Sequence, residues 1–314
     1  MNILMVGHSG AGKTSFMAGM YKYLGDDKEG YGIRATKVQQ KQQLERMTKL
    51  LDKGMYPSST DVQQMYNFQL TCNGEDIIPF NWMDYRGGIL LSDEPDDEDM
   101  NKFMAAISTA DALVVFLDGQ KLSQQTDKWT MEYDILISCI ENSLDVKHQS
   151  WFPICFVITK CDMVPDGASF YGLKHFGTLF EQIAKSDDVG GMLLQCSINK
   201  NNYVDPFFAL AYCIYGGTPI YVKKRLEAAQ SAKRRADNHR PSSFLEKVFG
   251  VGEQIVKEIA DIVDLGWETE YEKTWSAEED FENEYNHLQY LQGIAEDLQE
   301  KLKDWNEKNY IRTF

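Results

Sequence analysis

Eight residues constrain this chain more than any others. Gly7-His-Ser-Gly-Ala-Gly12-Lys13-Thr14 match G-x-x-x-x-G-K-[ST], directly after a short apolar run and directly before a helical pattern. A glycine-rich turn between strand and helix aims successive backbone N–H groups and the positive helix end at one point, which suits a phosphate. The pattern predicts that Lys13 bridges β- and γ-phosphates and that the Thr14 hydroxyl ligates Mg²⁺, with His8, Ser9, Gly10, Ala11, Gly12 and Ser15 around the phosphates. His8 or Ser9 is also placed to reach an attacking water.

The rest of the chain up to about residue 216 alternates short apolar or β-branched runs with helical periods, the pattern of a largely parallel sheet covered on both faces. Strands are expected at 2–6, 66–72, 77–83, 112–117, 154–159 and 192–196. Helices are expected at 14–24, 39–53, 99–109, 130–141, 172–185 and 205–215. Asn73-Gly74 reads as the turn of an antiparallel edge pair on this sheet. The expected fold is therefore an α/β P-loop domain over 1–216, and 43% apolar residues suffice for its core.

From 217 to 314 the composition changes. A basic stretch carries Lys223, Lys224, Arg225, Lys233, Arg234, Arg235 and Arg240, and the segment beyond about Asp261 is acid-rich. Phe244, Val248, Val251, Ile255, Ile259 and Ile262 form one apolar stripe, and Phe281, Leu288, Leu291, Ala295, Leu298, Leu302 and Trp305 follow a heptad. This reads as a helical appendage. Docking of its stripe on the nucleotide domain is preferred to peripheral membrane contact, because core-facing and interfacial stripes share one pattern. The net charge of -16 argues against broad nucleic-acid or anionic-lipid binding. Six scattered cysteines without a C-x-x-C pair read as reduced thiols of a cytoplasmic protein.

Three further motifs refine the chemistry. Asp84-Tyr-Arg-Gly87 gives D-x-x-G at a strand end: Asp84 is expected to hold Mg²⁺ through water, and the Gly87 N–H to contact the γ-phosphate. Thr159-Lys160-Cys161-Asp162 matches [NT]-K-x-D, where the carboxylate accepts from guanine N1–H and the exocyclic amine while the lysine stem covers the base. Cys196-Ser197 stands where a backbone loop faces the guanine O6. In the first switch, Thr60 is the expected additional Mg²⁺ ligand, with Ser59 as alternative. The acidic run Asp93 to Asp99 reads as a solvated switch loop.

In this order, Gly7 to Thr14, Thr60, Asp84 to Gly87 and Thr159 to Asp162 resemble the translation-factor and Ras-like (TRAFAC) class of P-loop GTPases. The Pro57-x-x-Thr60 segment before an antiparallel pair, followed by Trp82-x-Asp84-Tyr-Arg-Gly-Gly88, is similar to bacterial double-GTPase-type families. The resemblance implies GTP/GDP and Mg²⁺ as ligands, hydrolysis, and a switch read by an effector protein through the switches and the appendage. Gly88 departs from the Ras-like pattern, because the water-orienting glutamine of that position is absent. Arg86 is the candidate to act as a finger in cis. A GTP-binding scaffold with little turnover, a dynamin-like membrane-associated GTPase and an ATPase remain the alternatives.

Overall fold

The computed structural model describes residues 1–25, 30–57, 64–84, 97–145, 152–165, 168–186, 188–198, 206, 208–214 and 311–313. At its centre is strand β1 (Asn2–Val6), which pairs in parallel with β4 (Glu75–Asp84) on one side and β5 (Ala112–Asp118) on the other. Beyond β5 lie β6 (Phe152–Thr159) and β7 (Val189–Gln195), also parallel. On the other flank β3 (Gln64–Cys72) runs antiparallel to β4, and β2 (Tyr31–Ala35) antiparallel to β3. The last strand, β8 (Ile311–Thr313), lies antiparallel to β7, giving the order β2-β3-β4-β1-β5-β6-β7-β8.

Helices cover both faces, which is why the central strands are apolar without interruption; all eight residues of β6 are buried. Alternate residues of β1 split the core: Ile3 and Met5 face α1 (Lys13–Leu24), α2 (Val38–Asp52) and the helical stretch 208–214, whereas Leu4 and Val6 face the opposite layer. That layer comprises α3 (Asp97–Thr109), α5 (Thr130–Asp145) and α6 (Gly177–Ala184), through Phe103, Ile107, Leu136, Ile140, Leu179 and Ile183. A short helix, α4 (Gly119–Leu122), follows β5 and is capped by Asp118, whose carboxylate accepts from the N–H groups of Gln120 and Lys121.

Three details depart from the sequence reading. The β3–β4 hairpin turns at Asn73-Gly74 as expected, with φ of 51° and 83°, but β2 is an additional strand and takes the edge. Four of its five residues are buried, Tyr31, Gly32, Ile33 and Ala35, and Arg34 is exposed. Where β2 stops, the side chain of Gln40 on α2 continues the pairing: Nε2 donates to the Met65 carbonyl (2.7 Å) and Oε1 accepts from the Asn67 N–H (3.0 Å). The helix expected at 172–185 begins as a 3-10 turn, Tyr171–Phe176, and becomes α-helical only at Gly177, since glycines at 172 and 177 weaken the first turns. Finally, Ile311–Thr313 fall inside the stretch read as a helical appendage, yet they belong to the nucleotide-domain sheet. The basic stretch, the apolar stripe, the heptad and the acidic run 93–96 lie outside the described residues.

Candidate functional site

At the carboxyl ends of the parallel strands is a cleft of about 340 Å³, where ligands of open α/β sheets bind. The loop after β1 forms its floor. Gly7 lets that loop leave β1 against β5: a Cβ there would meet the Phe116 carbonyl oxygen at 2.8 Å. Gly12, in the left-handed region at φ 89°, turns the chain into α1 and aims the first N–H groups of the helix into the cleft. Ser9 to Ser15 line the cleft.

Lys13 is 7% exposed and donates from Nζ to the carbonyls of Gly7 (2.7 Å) and His8 (3.2 Å). Burial lowers the pKa of this ammonium below its ordinary value, and the Asp84 carboxylate works in the opposite direction. Next to it, Thr14 Oγ1 donates to Asp84 Oδ2 at 3.1 Å, and Asp84 is 1% exposed at the end of β4. Sheet register places Asp84 beside Met5, so the parallel pairing of β1 and β4 carries the carboxylate to the loop. A hydroxyl and a carboxylate meeting next to a buried ammonium form a hard-oxygen pair of the kind that suits Mg²⁺.

Thr159 closes β6 and reaches the opposite wall of the loop. Its Oγ1 lies 2.7 Å from the Ala11 carbonyl and 3.2 Å from the Leu117 carbonyl, and its single proton goes to the nearer. This bond ties the end of β6 to the loop after β1. Lys160 occupies the left-handed region at φ 56°, a conformation costing a non-glycine residue of order 1 kcal/mol. Its Nζ is 2.6 Å from Asp118 Oδ2. The following 3-10 turn, Cys161–Met163, carries Asp162 into the cleft lining. The loop after β7 joins it there: the Cys196 N–H donates to the Ile158 carbonyl (2.8 Å), the Cys161 N–H to the Cys196 carbonyl (3.4 Å), and Ser197 and Ile198 complete the wall. Burial pushes the Cys161 thiol up to about 12, which keeps it an inert packing group.

The cleft thus gathers Ser9 to Ser15, Asp84, Thr159, Lys160, Asp162, Cys196 and Ser197. His8 is a correction. Its side chain is 6% exposed and turns behind the loop, where Nε2 meets the Glu132 carbonyl at 2.5 Å, so it neither lines the cleft nor faces a water in it. Thr60, Arg86, Gly87 and Gly88 lie outside the described residues. Tyr56 and Pro57, from the segment leading to Thr60, and Ile198, which follows Cys196-Ser197, also line the cleft, as do Gln120 and Met163, which were not singled out. Gln120 was findable, since it follows the apolar strand β5 at the ligand-bearing sheet edge; Met163 carries no motif.

No curated protein matches the chain. Among solved structures, a bacterial selenocysteine-specific elongation factor, EF-Sec, is similar at 12% identity and a TM-score of 0.33 over 63% of this chain; the match spans 25% of the elongation factor, about a quarter of its length. The signal recognition particle receptor SRb-GTP/SRX complex from Chaetomium thermophilum is similar at 13% identity and a TM-score of 0.39, covering 64% of this chain and 92% of that one. The Double-GTPase 1 family model matches residues 4–160, half of this chain and the half that contains the phosphate loop, Asp84 and Lys160, and the chain is a member of that family.

Proposed function

We propose that this chain binds GTP with Mg²⁺ in the cleft, hydrolyses it, and uses the nucleotide state as a switch for a partner protein. The observation that carries the reading is the convergence, in one cleft, of Lys13, the Thr14–Asp84 pair and Asp162. In this reading Lys13 and the loop N–H groups bind the β- and γ-phosphates, Thr14 and Asp84 hold Mg²⁺, and Asp162 accepts the two guanine donors that adenine lacks. The Lys160 stem covers the base, anchored by Asp118, and Cys196-Ser197 close the guanine edge. Mg²⁺, when bound, neutralises charge on the phosphate oxygens. Thr60 and Gly87 are assigned to sensing the γ-phosphate and Arg86 to stabilising the charge that develops there. No glutamine follows Gly87, so hydrolysis without a partner is expected to be slow.

Single-turnover release of inorganic phosphate from GTP and Mg²⁺ tests this reading. A rate above that of buffer, lost in Lys13→Ala, is expected. GTP that stays bound with phosphate release no faster than in buffer would instead support a nucleotide-binding scaffold.

A further inference from the structure

From Lys160 in the cleft lining, charged and polar contacts run through Asp118, Lys121 and Glu132, which are not part of that lining, to His8 at the start of the phosphate loop. Lys160 pairs with Asp118, and Asp118 caps α4 through the N–H groups of Gln120 and Lys121. From α4, Lys121 Nζ reaches Glu132 Oε2 at 2.5 Å, and these side chains are only 21% and 16% exposed. The path ends where the Glu132 carbonyl meets His8 Nε2. A carbonyl only accepts, so Nε2 carries the proton, and the neutral ring keeps its lone pair on Nδ1. Nδ1 is buried with no hydrogen-bond partner among the described residues. Burial, the largest influence, together with the nearby Lys121 and Lys13 ammonium groups, favours the neutral ring against the opposing pull of Glu132.

Imidazole is a poor choice for packing alone here, because it buries a nitrogen that no described residue satisfies, whereas an aliphatic side chain would not. What it gains is one directed bond from the phosphate loop to the first turn of α5. The His8 carbonyl is also one of the two on which Lys13 Nζ rests and accepts the Ala11 N–H at 3.2 Å. Resting on the GTPase reading above, we propose that His8 is a positioning residue: its bond to α5 fixes the loop peptides that hold Lys13 against the phosphates.

The test compares His8→Leu, which fills the space without a donor, with His8→Gln, whose amide N–H can take the place of Nε2–H. In the nucleotide-free full chain, amide exchange across Ser9 to Lys13 should quicken in His8→Leu and stay near the unmodified rate in His8→Gln. Single-turnover GTP hydrolysis should fall about tenfold in His8→Leu, the order expected when a catalytic group is displaced by a fraction of an ångström, and recover to within about threefold in His8→Gln. The thermal midpoint of His8→Leu should be no lower than that of the unmodified chain. Equal exchange in all three proteins, or a loss in His8→Leu that His8→Gln does not restore, would overturn the proposal. Because the exchange readout needs no nucleotide, failure of the GTPase reading would appear separately, as an unmodified chain that orders its loop normally yet hydrolyses nothing.

Discussion

Asp162 carries the narrowest claim at the scale of single residues. Its carboxylate is acceptor-only, matched to two donors on one edge of guanine, and an amide in its place offers one acceptor and two misplaced N–H groups. Asp162→Asn should therefore weaken GDP binding about 10²- to 10⁴-fold and leave the weak binding of ATP unchanged, measured by titration with fluorescent nucleotides. Comparable loss for both nucleotides, or for neither, would remove Asp162 from base recognition. Motif spacing made this residue legible, because β6 and the turn after it are continuous in sequence and deliver Asp162 by local geometry alone. The position of the His8 ring was not legible. Its partner is the carbonyl of a residue 124 positions away, and a backbone acceptor leaves no trace in side-chain spacing. Thr159 lies between these cases: its identity fits the motif, while its bond to the Ala11 carbonyl emerges only when β6 is laid beside β5 and β1.

For the secondary-structure elements, legibility followed length and burial. Strands buried on both faces, such as β5 and β6, announce themselves as apolar runs. The two outermost strands do not: β2 has five residues and β8 three, too few for a periodic signal, and their pairing is set by the neighbours they extend. Pairing of β8 has a consequence for the cleft, because β7, which it covers, runs directly into Cys196-Ser197. Without β8 the edge of β7 would present unpaired backbone to solvent. Arg312→Pro removes one N–H and fixes φ in the middle of β8, while Arg312→Ala leaves the backbone able to pair. Amide exchange at Met192 to Leu194 should quicken in Arg312→Pro by about fivefold for each ~1 kcal/mol of pairing lost, and stay unchanged in Arg312→Ala. Release of bound GDP should quicken in the same variant. Unaltered exchange in a folded Arg312→Pro protein would show that β8 does not support β7.

Over the whole molecule, the net charge and the local groups that would meet a phosphate act on an anionic ligand in opposite directions. The chain carries a net charge of -16, whereas the phosphate loop brings Lys13 and the N–H groups at the start of α1 into the cleft. An approaching nucleotide triphosphate thus meets long-range repulsion first and attraction only at contact range. Salt separates the two, because the Debye length falls from about 30 Å at 0.01 M to about 3 Å at 1 M, screening the distant field while barely reaching a buried ammonium. Association of a labelled GTP, followed by stopped flow at constant Mg²⁺, should hold steady or quicken as sodium chloride is raised from about 0.02 M to about 0.3 M. A binder steered by a basic surface behaves in the opposite way, with association falling steeply over that range. Such a fall would mean that a basic surface, rather than the cleft alone, captures the nucleotide; the stretch from Lys223 to Arg240 would then be the first to neutralise.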